Sequence, residues 1–305
     1  MGPVKNILVC LDLTEIDKDI VNYAAYVSEV FGVRHVTLIH AIQAYDLPDR
    51  MSKSFPDVES SLKAMIREEL DGRIGDWFPS NVEARVETRV AEEDAADEIL
   101  AYAEETGIDL MLLGQKHGED RQGRYGRRVA AESKCDILFV PESPPEEITR
   151  ILCAIDYSTE SRGAFDRTIH LQDSLGADVI CFYIQDVTKS YFPVSTSKTA
   201  SQTKARAEKS HRDFIRAFGR NPDDYPCRIE EAEKLISEAA KICHAADRER
   251  TDMVIVGASG DTAKETSLLG NISETLRRTE KYIPVMIVKP GQGKRFFSRI
   301  FGQSA

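Results

Sequence analysis

The chain carries the same design twice, and that duplication constrains its fold more than any single motif. Ile7-Leu8-Val9-Cys10-Leu11-Asp12 returns as Ile151-Leu152-Cys153-Ala154-Ile155-Asp156. Each copy is an apolar run closed by an aspartate, with a hydroxyl two residues later at Thr14 or Ser158. The repeat is about 145 residues long, an ordinary size for one domain. A segment of helical period follows each opening run, at 17–31 and 160–175, and each ends at a glycine, Gly32 or Gly176, as helices often do. Second apolar runs lie at 36–40 and 179–184, each followed by a longer region that contains an amphipathic helix.

The alternation continues in both copies. Third strands are expected at 82–90 and 227–232, third helices at 95–105 and 234–248, fourth strands at 110–113 and 253–256, and fifth strands at 137–140 and 285–288. Strands that alternate with helices of ten or more residues imply a parallel sheet covered on both faces. The expected fold class is therefore α/β, two tandem doubly wound parallel-sheet domains. In such sheets ligands bind at the carboxyl ends of the strands, beside the point where strand order reverses. Asp12, Asp156 and the glycines after each fourth strand fall at those ends. Pro141, Pro144 and Pro145 mark a hinge, because proline fixes φ and blocks helix continuation. The expected domains are 1–143 and 144–290, followed by a tail, 291–305.

The glycines of the second copy carry the chemistry. After Met253-Val254-Ile255-Val256 the chain reads G-A-S-G-D-T-A-K-E-T-S-L-L-G-N-I-S, placing Gly257, Gly260 and Gly270 in the pattern G-x2-G-x9-G. Glycines without Cβ let backbone amides approach an anion, and a helix starting near Gly270 would aim its unpaired N–H groups at the same charge. This stretch resembles the ATP-binding motif of the universal stress protein family, and the resemblance extends over residues 4 to 290. It implies the adenine nucleotide alpha hydrolase-like fold, with the two domains paired through their fifth strands as a pseudo-dimer within one chain. Carried over by position, it implies that Asp156 lies near the adenosine and Ile184 against adenine. Gly257, Ala258, Ser259, Gly260, Gly270, Asn271, Ile272 and Ser273 would form the ribose and phosphate loop. Asn271 stands where the family has serine or threonine, which leaves AMP and ADP open beside ATP and offers no ready ligand for magnesium.

The first copy departs from that pattern. Gly114 is followed by Gln115-Lys116-His117-Gly118, then Gly123 and Gly126, with His117 and Arg127 where the later glycines belong. Its candidate contacts are Asp12, Gly114, Gly118 and Gly126. A bulky residue at a position of close backbone approach would hold a phosphate off, although Arg121, Arg124, Arg127 and Arg128 offer side-chain contacts instead. The expectation is a degenerate N-terminal site and nucleotide binding in the C-terminal domain.

Other chemistry finds little support. There is no G-x-x-x-x-G-K-[ST] element. Met51-Ser52-Lys53-Ser54 lacks the partner motif that would make it a synthetase-type lysine loop. His40, His170 and His211 are isolated, no catalytic residue is assigned, and Cys243-His244 on a helix would point in different directions. Six scattered cysteines without C-x-x-C read as reduced core thiols in a cytoplasmic protein with no zinc site. No leader or myristoylation signal is expected ahead of the first strand. A net charge of −11 argues against nucleic-acid binding.

The functional expectation is a universal stress protein that binds an adenine nucleotide and acts through nucleotide-dependent interactions with a protein partner or as a homo-oligomer. A slow ATPase or phosphoryl transferase, and a nucleotide-free scaffold, are the alternatives. The tail places Phe296, Phe297, Ile300 and Phe301 on one helical face beside Lys294, Arg295 and Arg299. That pattern suits either a terminal helix packed on protein or a weak membrane-docking segment.

Overall fold

The computed structural model describes residues 3–41, 56–91, 95–115, 124–185, 196–233, 235–258 and 283–290. These fall into two compact units, residues 2–144 and 145–291. In the N-terminal unit the strands are β1 (Asn6–Leu11), β2 (His35–Ala41), β3 (Arg85–Ala91), β4 (Leu110–Gln115) and β5 (Asp136–Pro141). They run in the order β3-β2-β1-β4-β5, each neighbouring pair parallel. The C-terminal unit has β6 (Arg150–Ala154), β7 (Asp178–Gln185), β8 (Cys227–Glu231), β9 (Met253–Gly257) and β10 (Val285–Val288), in the order β10-β9-β6-β7-β8. Here too each neighbouring pair is parallel. Strand order reverses around β1 in one unit and β6 in the other, so the two aspartates Asp12 and Asp156 follow the switch-point strands.

Local chemistry sets the element boundaries. The first helix of each unit, Ile16–Phe31 and Thr159–Leu175, stops at a glycine in the left-handed region, Gly32 at φ 64° and Gly176 at φ 68°. The helix expected from residue 234 begins instead at Glu238, because the Ser237 side chain accepts the Ala240 N–H and fixes the cap there. β3 starts at Arg85 rather than 82, since Val82 N–H closes a turn on the Pro79 carbonyl.

Central strands are apolar on both faces, as a covered parallel sheet requires. β5 and β10 are buried at every position. At the amino ends of the strands an aspartate ties β4 to β1, and another ties β9 to β6. Asp109 Oδ2 accepts the N–H groups of Lys5 and Asn6 at 2.8 and 3.0 Å. Asp252 Oδ2 accepts those of Thr149 and Arg150 at 2.8 and 2.9 Å. Register also aligns cysteines that lie far apart in sequence, Cys153 opposite Cys181 and Cys181 opposite Cys227. All six cysteines are free thiols. Burial pushes Cys153 up to about 12 and Cys227 up to about 11, which keeps both protonated at neutral pH.

Candidate functional site at the carboxyl ends of the strands

A cleft of about 310 Å³ opens beyond β6, β7 and β9. Its walls bring together Asp156 after β6, Ile184 in β7 and Gly257 at the end of β9. These three positions come from widely separated parts of the sequence, and all were expected at a ligand. Ile155, Phe182 and Val256 give the cleft an apolar floor, and each is nearly fully buried. Asp156, Ser158, Ser161 and Glu238 give it a polar side.

The polar side is held by the turn that follows β6. Tyr157 sits at φ 64°, and its counterpart Leu13 at φ 60°. A non-glycine residue in the left-handed region is uncommon, and here it occurs at the same place in both units. This turn swings Ser158 back so that its N–H donates to Asp156 Oδ1 at 2.9 Å. Ser158 then caps the helix Thr159–Leu175, its Oγ accepting the Ser161 N–H at 3.2 Å. Asp156 remains exposed and Ser161 lies buried at the cleft.

Ala258 is placed differently from a phosphate-loop donor. Its N–H is donated to the Val288 carbonyl at 2.9 Å, so it continues the β9 to β10 ladder. Glu238, from the first turn of the helix Glu238–Arg248, lines the cleft with Ile242, and neither is among the residues expected there. No local motif marks them; the strand-to-helix crossover carries them there. Ser259, Gly260, Gly270, Asn271, Ile272 and Ser273 lie outside the described residues, as do Gly118 and the tail residues 294–301.

In the N-terminal unit the same turn is built with different chemistry. Thr14 Oγ1 donates to Asp12 Oδ1 at 2.5 Å. Where the second unit has Ser161, the first has Asp17, which is completely buried. Asp17 Oδ1 accepts the Asp12 N–H at 3.2 Å, and Oδ2 meets Arg73 Nη1 at 2.6 Å. Arg73 comes from the helix Pro56–Trp77, where it also pairs with Glu69 at 2.9 Å and lies 5.0 Å from the Trp77 ring centre. Burial pushes Asp17 up to about 6, and the nearby Asp12 charge adds to this, against the pull of the Asp12 N–H and Arg73.

Gly114 has a packing role of its own. A Cβ there would lie 2.6 Å from Ile20 Cδ1, so the glycine lets the first helix sit close on β4. Gly126 is half-buried inside the helix Arg124–Glu132. Of the arginines considered for phosphate, Arg128 is engaged by Asp97 and by Glu132, the latter at 3.1 Å. Cys243 is buried and His244 exposed, as their adjacency on a helix demands. Among the described residues no group of His, Cys, Asp or Glu is arranged to hold a metal ion. Among them, too, no helix is long and apolar enough to cross a membrane.

Fold and cleft together define the class: a tandem α/β protein of doubly wound parallel sheets, with a recess at the switch point of the second. The universal stress protein family pattern matches residues 3–141 and again 147–289, and the chain belongs to that family. A universal stress protein from Archaeoglobus fulgidus DSM 4304 shares its fold at 18% identity and a TM-score of 0.68, covering 95% of this chain and 100% of that one. A functionally unknown protein from Pseudomonas aeruginosa PAO1 is similar at 16% identity and a TM-score of 0.62, over 99% of this chain and 98% of that one. No curated protein matches the chain.

Proposed function

We propose that the C-terminal unit binds an adenine nucleotide in the cleft beyond β6, β7 and β9, and that the protein acts in stress response through interactions governed by that binding. The observation that carries this reading is the convergence of Asp156, Ile184 and Gly257 on one recess from three separate strand ends. The cleft suits the nucleoside end of the ligand. Ile155, Phe182, Ile184 and Val256 offer apolar surface to a base, and Asp156 with Ser158 and Ser161 offers partners for hydroxyl and amino groups. The carboxylates of Asp156 and Glu238 would repel phosphates, which directs them towards the glycine-rich stretch 257–273. ATP, ADP and AMP all satisfy these requirements, with magnesium held by the phosphates when present.

The N-terminal unit is proposed to leave its equivalent position empty of nucleotide, since Asp17 and Arg73 satisfy each other where Ser161 would face a ligand. Binding is proposed to act on the order of the segment around 257–273, through the nucleotide's differential affinity for two states of it. The protein is read as a binder, with turnover far below the roughly 1 per second at the low end of ordinary enzymes.

The test is identification of the nucleotide released when purified full-length protein is denatured, followed by calorimetry with ATP and AMP. About one adenine nucleotide per chain is expected, lost on changing Gly257 to Val. Absence of both bound and titratable nucleotide would leave a scaffold. Rapid magnesium-dependent hydrolysis abolished by Asp156→Asn would establish an enzyme.

A further inference from the structure

We infer that the outer edge of the C-terminal unit's sheet is a docking groove for an extended peptide segment whose same-side residues read acid, base, acid. The groove is a recess of about 640 Å³, separate from the nucleotide cleft. Its floor is β8 itself, Cys227 to Glu230; Lys204, Glu208 and Arg212 line one side and Arg248 the other, and Asp223 from the turn before β8 lines it as well.

Among the described residues β8 ends the strand order and pairs with β7 alone. Cys181 N–H donates to the Pro226 carbonyl, and Ala232 N–H to the Gln185 carbonyl. These bonds fix the parity of the strand. The main-chain groups of residues 226, 228, 230 and 232 face β7, and those of Cys227, Ile229 and Glu231 face outward. Among the described residues those outward groups have no partner. An edge of this kind is a template for strand addition.

The walls decide what fits. Cys227, Ile229 and Glu231 face the helix Thr196–Arg216, and Arg228 and Glu230 the opposite layer. In that opposite layer the charges are already matched. Arg228 holds Glu249 at 2.8 and 3.1 Å, and Arg248 holds Glu230 at 2.7 Å. On the helix, Lys204, Glu208 and Arg212 have no ion-pair partner among the described residues, and all three face the recess. They recur every four residues, about 6 Å apart along the axis and about 12 Å from first to last. Same-side residues of an extended strand recur about every 6.7 Å, so three of them span about 13 Å. A strand laid on β8 therefore sets three consecutive same-side residues against Lys204, Glu208 and Arg212, in either direction of travel.

The helical wall is firmly seated. His211 is buried with Nε2 2.7 Å from the Tyr225 carbonyl, and burial lowers its pKa, so it stays neutral and pins the helix to the turn before β8. A second copy of the protein fits this floor poorly, because its own β8 edge is set back between the same walls. A single extended strand enters where a recessed edge does not.

The test uses the full chain and the end-blocked peptide Thr-Glu-Val-Lys-Val-Glu-Thr carrying a fluorophore, read by anisotropy. Saturable binding is expected. The charge-swapped peptide Thr-Lys-Val-Glu-Val-Lys-Thr should bind about tenfold more weakly, as a few screened ion pairs allow. The combined variant Lys204→Glu, Glu208→Lys, Arg212→Glu should invert that preference; these side chains are exposed, and an unchanged far-ultraviolet dichroism spectrum checks the fold. N-methylation of the peptide's β8-facing amides should abolish binding. No saturable binding, equal binding of the two peptides, an uninverted preference or indifference to N-methylation would each overturn the proposal. Self-association of the chain that the peptide displaces would place a second copy in the groove and overturn it as well.

Discussion

At the turn after the switch-point strand the two units start from the same backbone and end in opposite electrostatics. Both place an aspartate at the strand end, a left-handed residue after it, and a hydroxyl next. In the C-terminal unit the following helix begins with a serine cap, and Ser161 faces an open cleft. The N-terminal unit has Asp17 there, and Arg73 answers it from another helix. One substitution thus turns a position that can meet a ligand into one that needs an internal partner. A duplicated fold keeps its backbone through shared packing, while its sites diverge through a few buried polar residues.

The largest effect is expected from removing the internal partner of Asp17. Arg73→Met should destabilise the protein by about 3 kcal/mol, because the buried Asp17 loses its cation and hydrogen-bond donor and must take up a proton instead. Urea unfolding at pH 7 measures it. A change below about 1 kcal/mol would mean that the pair is not what completes the N-terminal turn.

The pH dependence of stability comes next. The folded state holds the Asp17 proton up to about pH 6, against 3.8 for an unperturbed aspartate. Between those values the folded chain binds more protons than the unfolded one. Stability should therefore fall as pH rises from about 4 to about 6, by about 3 kcal/mol, and then level off. Asp17→Asn should remove that difference when its unfolding free energies are compared with the parent's across the window. An identical pH profile for the two proteins would refute the buried-carboxylate account.

The N-terminal unit's buried carboxylate can be placed in the other unit. Ser161→Asp places a carboxylate at the cleft with no arginine to meet it, and should weaken nucleotide binding about thirtyfold, or roughly 2 kcal/mol, by calorimetry. Unchanged affinity would separate Ser161 from the ligand. The smallest effect belongs to Gly114→Ala, whose added methyl meets the mobile end of Ile20. A cost of about 1 kcal/mol in unfolding is expected, with nucleotide stoichiometry unchanged.

Much of this was legible in the chain. The alternating apolar runs located the described strands because buried parallel strands must be apolar throughout, and Gly32 and Gly176 fixed the ends of the first helices. The family resemblance and the strand ends pointed to Asp156, Ile184 and Gly257, and the structure brings the three to one cleft. Three things were not legible. Ala258 spends its N–H on Val288, which depends on how β9 pairs with β10. Glu238 and Ile242 reach the cleft from a crossover helix. Arg73 lies 56 residues from Asp17, and nothing local pairs them.

The duplication, the α/β class, the family and the strand-end places of Asp12 and Asp156 can be read from the chain alone. Those follow from periodicity and local backbone chemistry, which act over a few residues. Which side chains share a space came from the packed fold: the three cysteines aligned on β6, β7 and β8, the Asp17–Arg73 pair in one unit and the open cleft in the other, and the outer edge of β8, unpaired among the described residues, beside Lys204, Glu208 and Arg212. Burial and pairing are set by register and by the crossing of helices over the sheet. Those are long-range consequences of packing that no short stretch of sequence encodes.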